Sequence, residues 1–345
     1  MTTYRKLLFF ALFLTFDLIM FGAFVRVTDA GLGCPDWPGC YGKASPLGAM
    51  PQIAAEQALR PQGPVTVFKA WVEMLHRYIA AGLGLVILIL FAMAVRHAPG
   101  GRTMPWLAGF TAFWVILQGL FGMWTVTLKL QPAVVTAHLL GGMILFALLL
   151  AQAMPIANHP AVPPAAARLR GWVLVSIALI FVQIALGGWV STNYATLACR
   201  DFPLCQGAWW PDMDFAAGFQ VWRELGRTAD GAALPFPALT AIHYVHRIGA
   251  FVVLAVVGGL ALAIRGTFGL RRVGNGLLIV LAAQIGTGLT NIFLEWPLPA
   301  AVAHTGGATA LLGLLLLVDY RVRQAAASAH AAARADLRMT GARAA

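Results

Sequence analysis

The sequence predicts an all-α integral membrane protein, with eight transmembrane helices arranged as two pseudo-symmetric four-helix bundles. Three observations predict this fold: an apolar composition, eight long apolar runs and an internal repeat. Of the 345 residues, 60% are hydrophobic and only 11% are charged, which is too little charge for a water-soluble surface. The net charge of +11 does not indicate nucleic-acid binding, because the Lys and Arg residues lie mostly in loops between apolar runs and in the C-terminal tail.

Eight apolar runs are long enough to cross a bilayer, which takes about 20 residues. They lie at 7–26, 70–95, 104–126, 132–154, 171–190, 239–264, 273–294 and 299–319. The first follows Arg5 and Lys6, as the apolar segment of a signal peptide would. It is long for such a segment and has no clear small-residue cleavage site, so we interpret it as a helix.

The basic residues predict the orientation in the membrane. If the N-terminus is cytoplasmic, most Lys and Arg residues outside the spans fall on the cytoplasmic side. The others lie mostly in two long loops, 27–69 and 191–238, where the positive-inside rule counts least. We therefore expect both termini in the cytoplasm and both long loops on the outer side, in a bacterial inner membrane.

The chain repeats itself with an offset of 165 to 170 residues. Gly22 with Cys34 and Cys40 recurs as Gly187 with Cys199 and Cys205, His76-Arg77 recurs as His246-Arg247, and Gln118 through His138 recurs as Gln284 through His304. The repeat predicts an N-terminal half at 1–160, a C-terminal half at 161–325 and a disordered cytoplasmic tail at 326–345. Four helices per half make the repeats parallel.

Five of the eight histidines lie within the predicted spans: His76, His138, His243, His246 and His304. Ionisable residues at membrane depth are costly and are candidates for function, although a single one can be a packing residue bonded to a neighbour. The repeat argues against packing alone, because each half has a histidine on its second helix and another on its fourth.

The depth of these histidines indicates haem. His138 and His304 lie six and five residues after Pro132 and Pro299, roughly 8–9 Å inside the outer helix ends. Two imidazoles at one depth on facing helices can provide both axial ligands of a haem. We predict two haem sites, His76 with His138 and His246 with His304; a zinc ion would need more ligands per site.

The residues around the first histidine of each pair are also candidates. Arg77 and Arg247 would bind haem propionates or, alternatively, reach up to phospholipid. Glu73 precedes His76 by three residues, whereas His243 stands at that position in the second half. Glu73 would take up protons or stabilise a cation beside the N-terminal pocket, or it is a solvated residue paired with Arg77. This asymmetry predicts chemistry in the N-terminal half and electron transfer in the C-terminal half.

All four cysteines lie in the long outer loops, as Cys34-Pro-Asp-Trp-Pro-Gly-Cys40 and Cys199-Arg-Asp-Phe-Pro-Leu-Cys205. The outside of a bacterial inner membrane is oxidising, so each pair is predicted to form a local disulfide. The disulfides would be structural staples or redox pairs that accept electrons from the site, and their spacing favours neither.

The ordered set of motifs resembles the haem A synthase family over nearly the whole chain. It comprises Gly31-Leu32-Gly33-Cys34 to Cys40, Glu73-Met74-Leu75-His76-Arg77, His138-Leu139-Leu140-Gly141-Gly142, His246-Arg247 and His304-Thr305-Gly306-Gly307. The resemblance implies oxidation of a methyl group of haem O to a formyl group, through two hydroxylations and loss of water, giving haem A for terminal oxidases. It implies haem O synthase and cytochrome oxidase assembly factors as candidate partners and leaves a homo-oligomer open.

The resemblance also implies a role for each residue of the two sites. His76 and His138 would hold the substrate haem with Glu73 as a catalytic residue, and His246 and His304 would ligate a haem b cofactor. Cys34 and Cys40 match an outer-loop pair present in only some branches of the family.

Three other classes of protein fit the sequence less well. A cytochrome b-type electron carrier would usually place haems near both membrane faces, whereas all four paired histidines fall near the outer face. A disulfide-handling oxidoreductase would leave those histidines unexplained. A transporter would need broken helices at the midplane.

Overall fold

The computed structural model describes residues 3–97 and 103–343, and within them eight long helices carry the fold. These are α1 (Thr3–Val27), α2 (Val67–His97), α3 (Thr103–Thr127), α4 (Pro132–Ala153), α5 (Arg170–Thr192), α6 (Phe236–Arg265), α7 (Arg271–Phe293) and α8 (Leu298–Arg343). By length and composition, all eight can cross a membrane. The predicted all-α multi-pass fold is confirmed.

The end of α8 differs from the prediction. The sequence predicts disorder from residue 326, but α8 continues as one helix to Arg343. The part of it that is apolar enough to span a membrane ends at Ser328. Alanine and arginine are among the strongest helix formers, so an Ala- and Arg-rich extension prolongs the helix without needing an apolar environment.

The eight helices pack as two four-helix bundles. In the first, α1 contacts α2 and α4, and α3 contacts α2 and α4; in the second, α5 contacts α6 and α8, and α7 contacts α6 and α8. The bundles meet where α1 packs on α8 and α4 packs on α5. Large apolar side chains such as Trp106 and Ile279 remain exposed on the outside, as expected where a helix faces lipid rather than water.

The backbone repeats along with the sequence. Eight non-glycine residues in the described ranges have a positive φ, and they form four pairs at offsets of 165 or 166: Asp29 with Tyr194, Tyr41 with Gln206, Lys129 with Glu295, and Leu130 with Trp296. Positive φ is uncommon outside glycine. Its recurrence at equivalent positions is the pattern that two copies of one fold produce.

The two long loops lie at the same end of the molecule. Arg26 donates from Nη2 to the Ser191 carbonyl at 2.8 Å, and its guanidinium lies 4.0 Å from the ring centre of Tyr194. The Tyr194 hydroxyl donates to Asp29 Oδ1 at 2.6 Å. Positions 26 and 191, like 29 and 194, are equivalent in the repeat, so these contacts lie where a pseudo-two-fold axis between the halves would pass.

Candidate functional site

The structure brings the predicted histidine pairs together. His76 on α2 and His138 on α4 are close enough to interact electrostatically, as are His246 on α6 and His304 on α8. His76 also packs 5.7 Å, between ring centroids, from Phe21 on α1. All four imidazoles are half-buried. Each bundle therefore holds one pair of imidazoles between its second and fourth helices.

A glycine lies opposite each of these histidines. In the N-terminal half, a Cβ added at Gly22 would lie 3.3 Å from His76 Nε2, and one added at Gly122 would lie 3.4 Å from His138 Cε1. In the C-terminal half, a Cβ added at Gly187 would lie 3.1 Å from His246 Cε1, and one added at Gly288 would lie 3.5 Å from His304 Cε1. A Cβ would press on the ring at Gly22 and Gly187 and would just touch it at Gly122 and Gly288, so a larger side chain at any of the four would crowd a histidine. Gly22 and Gly187 mark the repeat in the sequence, but their role beside the histidines was not predicted. The shared offsets of 165 and 166 were the signal that could have found all four.

The donor set fits a haem better than a single metal ion. Haem iron takes two axial ligands because the macrocycle supplies the others, and paired imidazoles provide them. Within residues 3–97 and 103–343, no three His, Cys, Asp or Glu side chains are placed to share one ion. In addition, His138 Nδ1 is buried without a hydrogen-bond partner in the described part of the chain, so its imidazole is not committed to a protein contact through that atom.

Glu73 is buried beside the N-terminal pair, one turn outward from His76 on α2. Its side chain is about 5% exposed. Oε2 accepts from the backbone N–H of Cys34 at 2.8 Å, and Oε1 accepts from Arg77 Nη2 at 2.5 Å. The expected pairing with Arg77 is thus present, but the carboxylate is enclosed by protein rather than solvated. It links the histidine helix to the first disulfide loop.

Arg77 and Arg247 both hold the disulfide loops of their own halves. Arg77 Nη1 donates to the carbonyls of Asp36 at 2.9 Å and Gly39 at 2.8 Å. Arg247 donates to the carbonyls of Cys199 at 2.7 Å and Leu204 at 2.9 Å. Both guanidiniums are thus engaged with protein groups. Propionate binding by either arginine stays a prediction, and it would have to use N–H groups that these loops leave free.

His243 takes the place of Glu73 in the C-terminal half but makes different bonds. Its Nε2 accepts from Arg247 Nε at 3.1 Å, and its Nδ1 therefore donates to the Ala195 carbonyl, 2.9 Å away. With both ring nitrogens engaged, His243 is a neutral structural link. It offers no carboxylate to its site and no free nitrogen to a metal.

The predicted local disulfides, Cys34–Cys40 and Cys199–Cys205, are confirmed. All four cysteines are buried. Each loop closes over an aspartate that accepts two backbone N–H groups, Asp36 from residues 41 and 42 and Asp201 from residues 206 and 207. Desolvation acts to raise the pKa of Asp201, but the N–H donors of Gly207 and Gln206 outweigh it and hold the pKa below its usual value.

Fold and site together define a multi-pass membrane protein with one pair of histidines in each of two similar halves. Its sequence matches the model of the cytochrome oxidase assembly protein family (COX15-CtaA) over residues 5–316, and the chain belongs to this family. The match ends inside α8, before the Ala- and Arg-rich extension.

Several relatives carry the name heme A synthase. That of Shewanella oneidensis is 37% identical, covering 91% of this chain and 95% of the relative. That of Rhodospirillum centenum is 30% identical over 90% of this chain and 86% of the relative. That of Allorhizobium ampelinum is 28% identical over 86% of this chain and 84% of the relative. These similarities extend over both halves.

Proposed function

We propose that this chain is a haem A synthase, a membrane oxidoreductase that converts haem O to haem A by oxidising a ring methyl group to a formyl group. The family and the names of its relatives support the reaction. The observation that carries it is the pairing of histidines in both halves with a buried carboxylate beside only one pair. One site for a reacting haem and one for an electron-accepting haem is what such an oxidation needs.

In the proposed reaction, oxidation proceeds in two equal steps. Each step removes two electrons from the carbon, adds the hydroxyl group of a water molecule and releases two protons. The second step gives a gem-diol, which loses water to become the formyl group. Four electrons and four protons therefore leave the site in each turnover. The protein has to orient the methyl group, accept protons and stabilise positive charge as it develops.

The N-terminal half is proposed to hold the substrate, with His76 and His138 as the ligands of haem O. Glu73 is the group that would hold or pass the released protons, or stabilise a cationic carbon electrostatically. Arg77 keeps Glu73 in place through the ion pair. The burial of Glu73 supports this role, because a carboxylate shielded from water interacts more strongly with a nearby charge.

The C-terminal half is proposed to hold haem b, ligated by His246 and His304. When bound there, haem b supplies a one-electron acceptor. His243 and Arg247 fix the neighbouring loop in this half and add no carboxylate. The electrons then pass to an external acceptor.

The proposal includes a place for the protein in the cell. We infer a bacterial inner membrane with both termini cytoplasmic and both disulfide loops outside, where oxidation favours disulfides. The long apolar tail of haem O suits entry from lipid. Haem O synthase and cytochrome oxidase assembly factors are the candidate partners, since one class makes the substrate and the other uses the product.

The test is haem extraction and chromatography from a host that makes haem O but not haem A. We expect haem A only in cells that express the chain, and we expect loss of haem A with retention of haem b in the His76→Leu variant. Purified protein with a bis-histidine haem b spectrum, in cells whose haem O stays unconverted, would indicate an electron carrier and overturn the proposal.

A further inference from the structure

The two halves support their paired histidines differently at Nδ1, the ring nitrogen that does not bind iron when Nε2 does. In the C-terminal half, Thr287 Oγ1 on α7 lies 2.8 Å from His304 Nδ1. The side-chain amide of Gln183 on α5 lies 3.1 Å from His246 Nδ1. Both histidines of this pair thus have a polar side chain from a neighbouring helix at Nδ1.

The N-terminal half has apolar residues at both equivalent positions. Leu18 corresponds to Gln183 at an offset of 165, and Phe121 corresponds to Thr287 at an offset of 166. The comparison is anchored by the glycines opposite the histidines, which recur at the same offsets in the same helices. His138 Nδ1 is buried without a hydrogen-bond partner among the described residues. His76 bonds the backbone of Leu18, and no hydrogen bond from a side chain to its ring is found among the described residues.

The chemistry of a ligating histidine gives this difference a consequence. When Nε2 binds iron, Nδ1 carries the proton and donates it to a partner, which fixes the ring orientation and raises the basicity of the ligand. Thr287 can accept that proton, because its own hydroxyl donates to the Ala283 carbonyl at 2.9 Å. Gln183 supports its histidine differently: its amide nitrogen also donates to the His246 carbonyl at 3.0 Å, so one side chain fixes both the ring and the backbone of His246.

We propose that Gln183 and Thr287 are positioning residues that make the C-terminal histidine pair a permanent haem site. Leu18 and Phe121 supply no polar side chain to the N-terminal pair, so that its haem is held less firmly and can leave after oxidation. This inference rests on the proposed function, in which one haem is a cofactor that stays and the other is a substrate that must exchange. One duplicated fold thus provides a retaining site and a releasing site.

The test measures haem retention in the purified full-length protein. Haem b transfer to excess apomyoglobin is followed optically, and the haem b midpoint potential is measured by redox titration. Loss of such a supporting contact costs about 10- to 100-fold in affinity, so Thr287→Val and Gln183→Leu should each speed haem b loss by about that factor. Thr287→Val should also raise the midpoint potential, because a less basic ligand stabilises ferric iron less.

Two variants control for folding and for packing. Thr287→Ser keeps the hydroxyl and should restore retention and potential to wild-type values. Thr290→Val makes the same change one turn along α7, at a hydroxyl that donates to the Gly286 carbonyl, and should leave both values unchanged. If Thr287→Val and Gln183→Leu both kept wild-type transfer rates and potentials, the inference would be wrong. Equal losses in Thr290→Val would also refute it, by showing a general packing effect.

The reciprocal change tests the releasing site. The double variant Leu18→Gln and Phe121→Thr should co-purify with more haem A and transfer it to apomyoglobin about ten-fold more slowly than wild type. Unchanged retention of haem A there would contradict the second part of the inference. If no variant or wild type makes haem A, the proposed function fails, yet the haem b measurements still decide the role of Gln183 and Thr287.

Discussion

Replacing Glu73 by glutamine separates the charge of this residue from its size. Glutamine keeps one acceptor oxygen, so it can satisfy either the Cys34 N–H or Arg77 but not both. The lost acceptor should cost about 1–3 kcal/mol of stability, less than the 3–5 kcal/mol typical of breaking a buried ion pair. The difference arises because Arg77 keeps its bonds to the carbonyls of Asp36 and Gly39.

The expected effect on the reaction is much larger than the effect on folding. A positioned acid or base typically contributes 10²- to 10⁴-fold to a rate, so haem A production in Glu73→Gln should fall by about that factor while haem b content stays normal. The assay is the ratio of haem O to haem A in extracted membranes, normalised to the amount of protein and to its haem b spectrum. Hydroxylated haem should accumulate if the second oxidation depends on Glu73 more than the first.

Two variants control for the loss of a carboxylate and for the choice of half. Glu56→Gln removes a carboxylate from an ion pair with Arg60 whose arginine is largely exposed; surface pairs of this kind contribute little, so haem A should be unchanged. His243→Ala alters the equivalent position of the other half and should lower haem A much less than Glu73→Gln. A wild-type ratio in Glu73→Gln, or a greater loss in His243→Ala, would show that the chemistry is assigned to the wrong half.

Three further predictions test the sites and the topology. Replacing His246 or His304 by Leu should abolish the low-spin haem b spectrum of the purified protein; a normal spectrum in both would contradict the C-terminal assignment. Gly122→Val should crowd His138 and lower haem A with haem b retained, as measured on the same extract. A cysteine introduced at Gln57 should react with a membrane-impermeant thiol reagent in intact cells, and one at Gly266 only in inverted vesicles; the reverse pattern would invert the topology.

The spans and the repeat were predictable because membrane insertion leaves strong patterns in a sequence. Long apolar runs are required wherever the backbone crosses lipid, so all eight helices were located from composition alone. Their ends were less well defined. For example, α2 begins at Val67 and α6 at Phe236, before their apolar runs. Both helices also pack against short helices of the preceding long loops, which extends them beyond the apolar segment.

The contacts of the site could be predicted only in part. The histidine pairs followed from the repeat and from helix depth, since both fix positions along an axis. The partners of Arg77 and Arg247 did not follow, because the carbonyls they bind lie in irregular loops whose path depends on disulfides and tight turns. The contacts of Gln183 and Thr287 were also missed. Each of these residues contacts a histidine on a neighbouring helix, and no spacing along a single helix reveals such a pair.

Near the histidine pairs, the two halves differ in which positions carry polar side chains. The N-terminal half has a buried carboxylate at Glu73 and apolar residues at positions 18 and 121. In the C-terminal half, the position of Glu73 is taken by a neutral His243 whose two ring nitrogens are both bonded. The positions equivalent to 18 and 121 are Gln183 and Thr287, which contact His246 and His304. In the proposed function, a carboxylate beside a haem whose ligands have no side-chain partner at Nδ1 favours reaction and release. Side-chain partners without a carboxylate favour retention and electron transfer, so three positions would be enough to give two similar bundles the proposed different tasks.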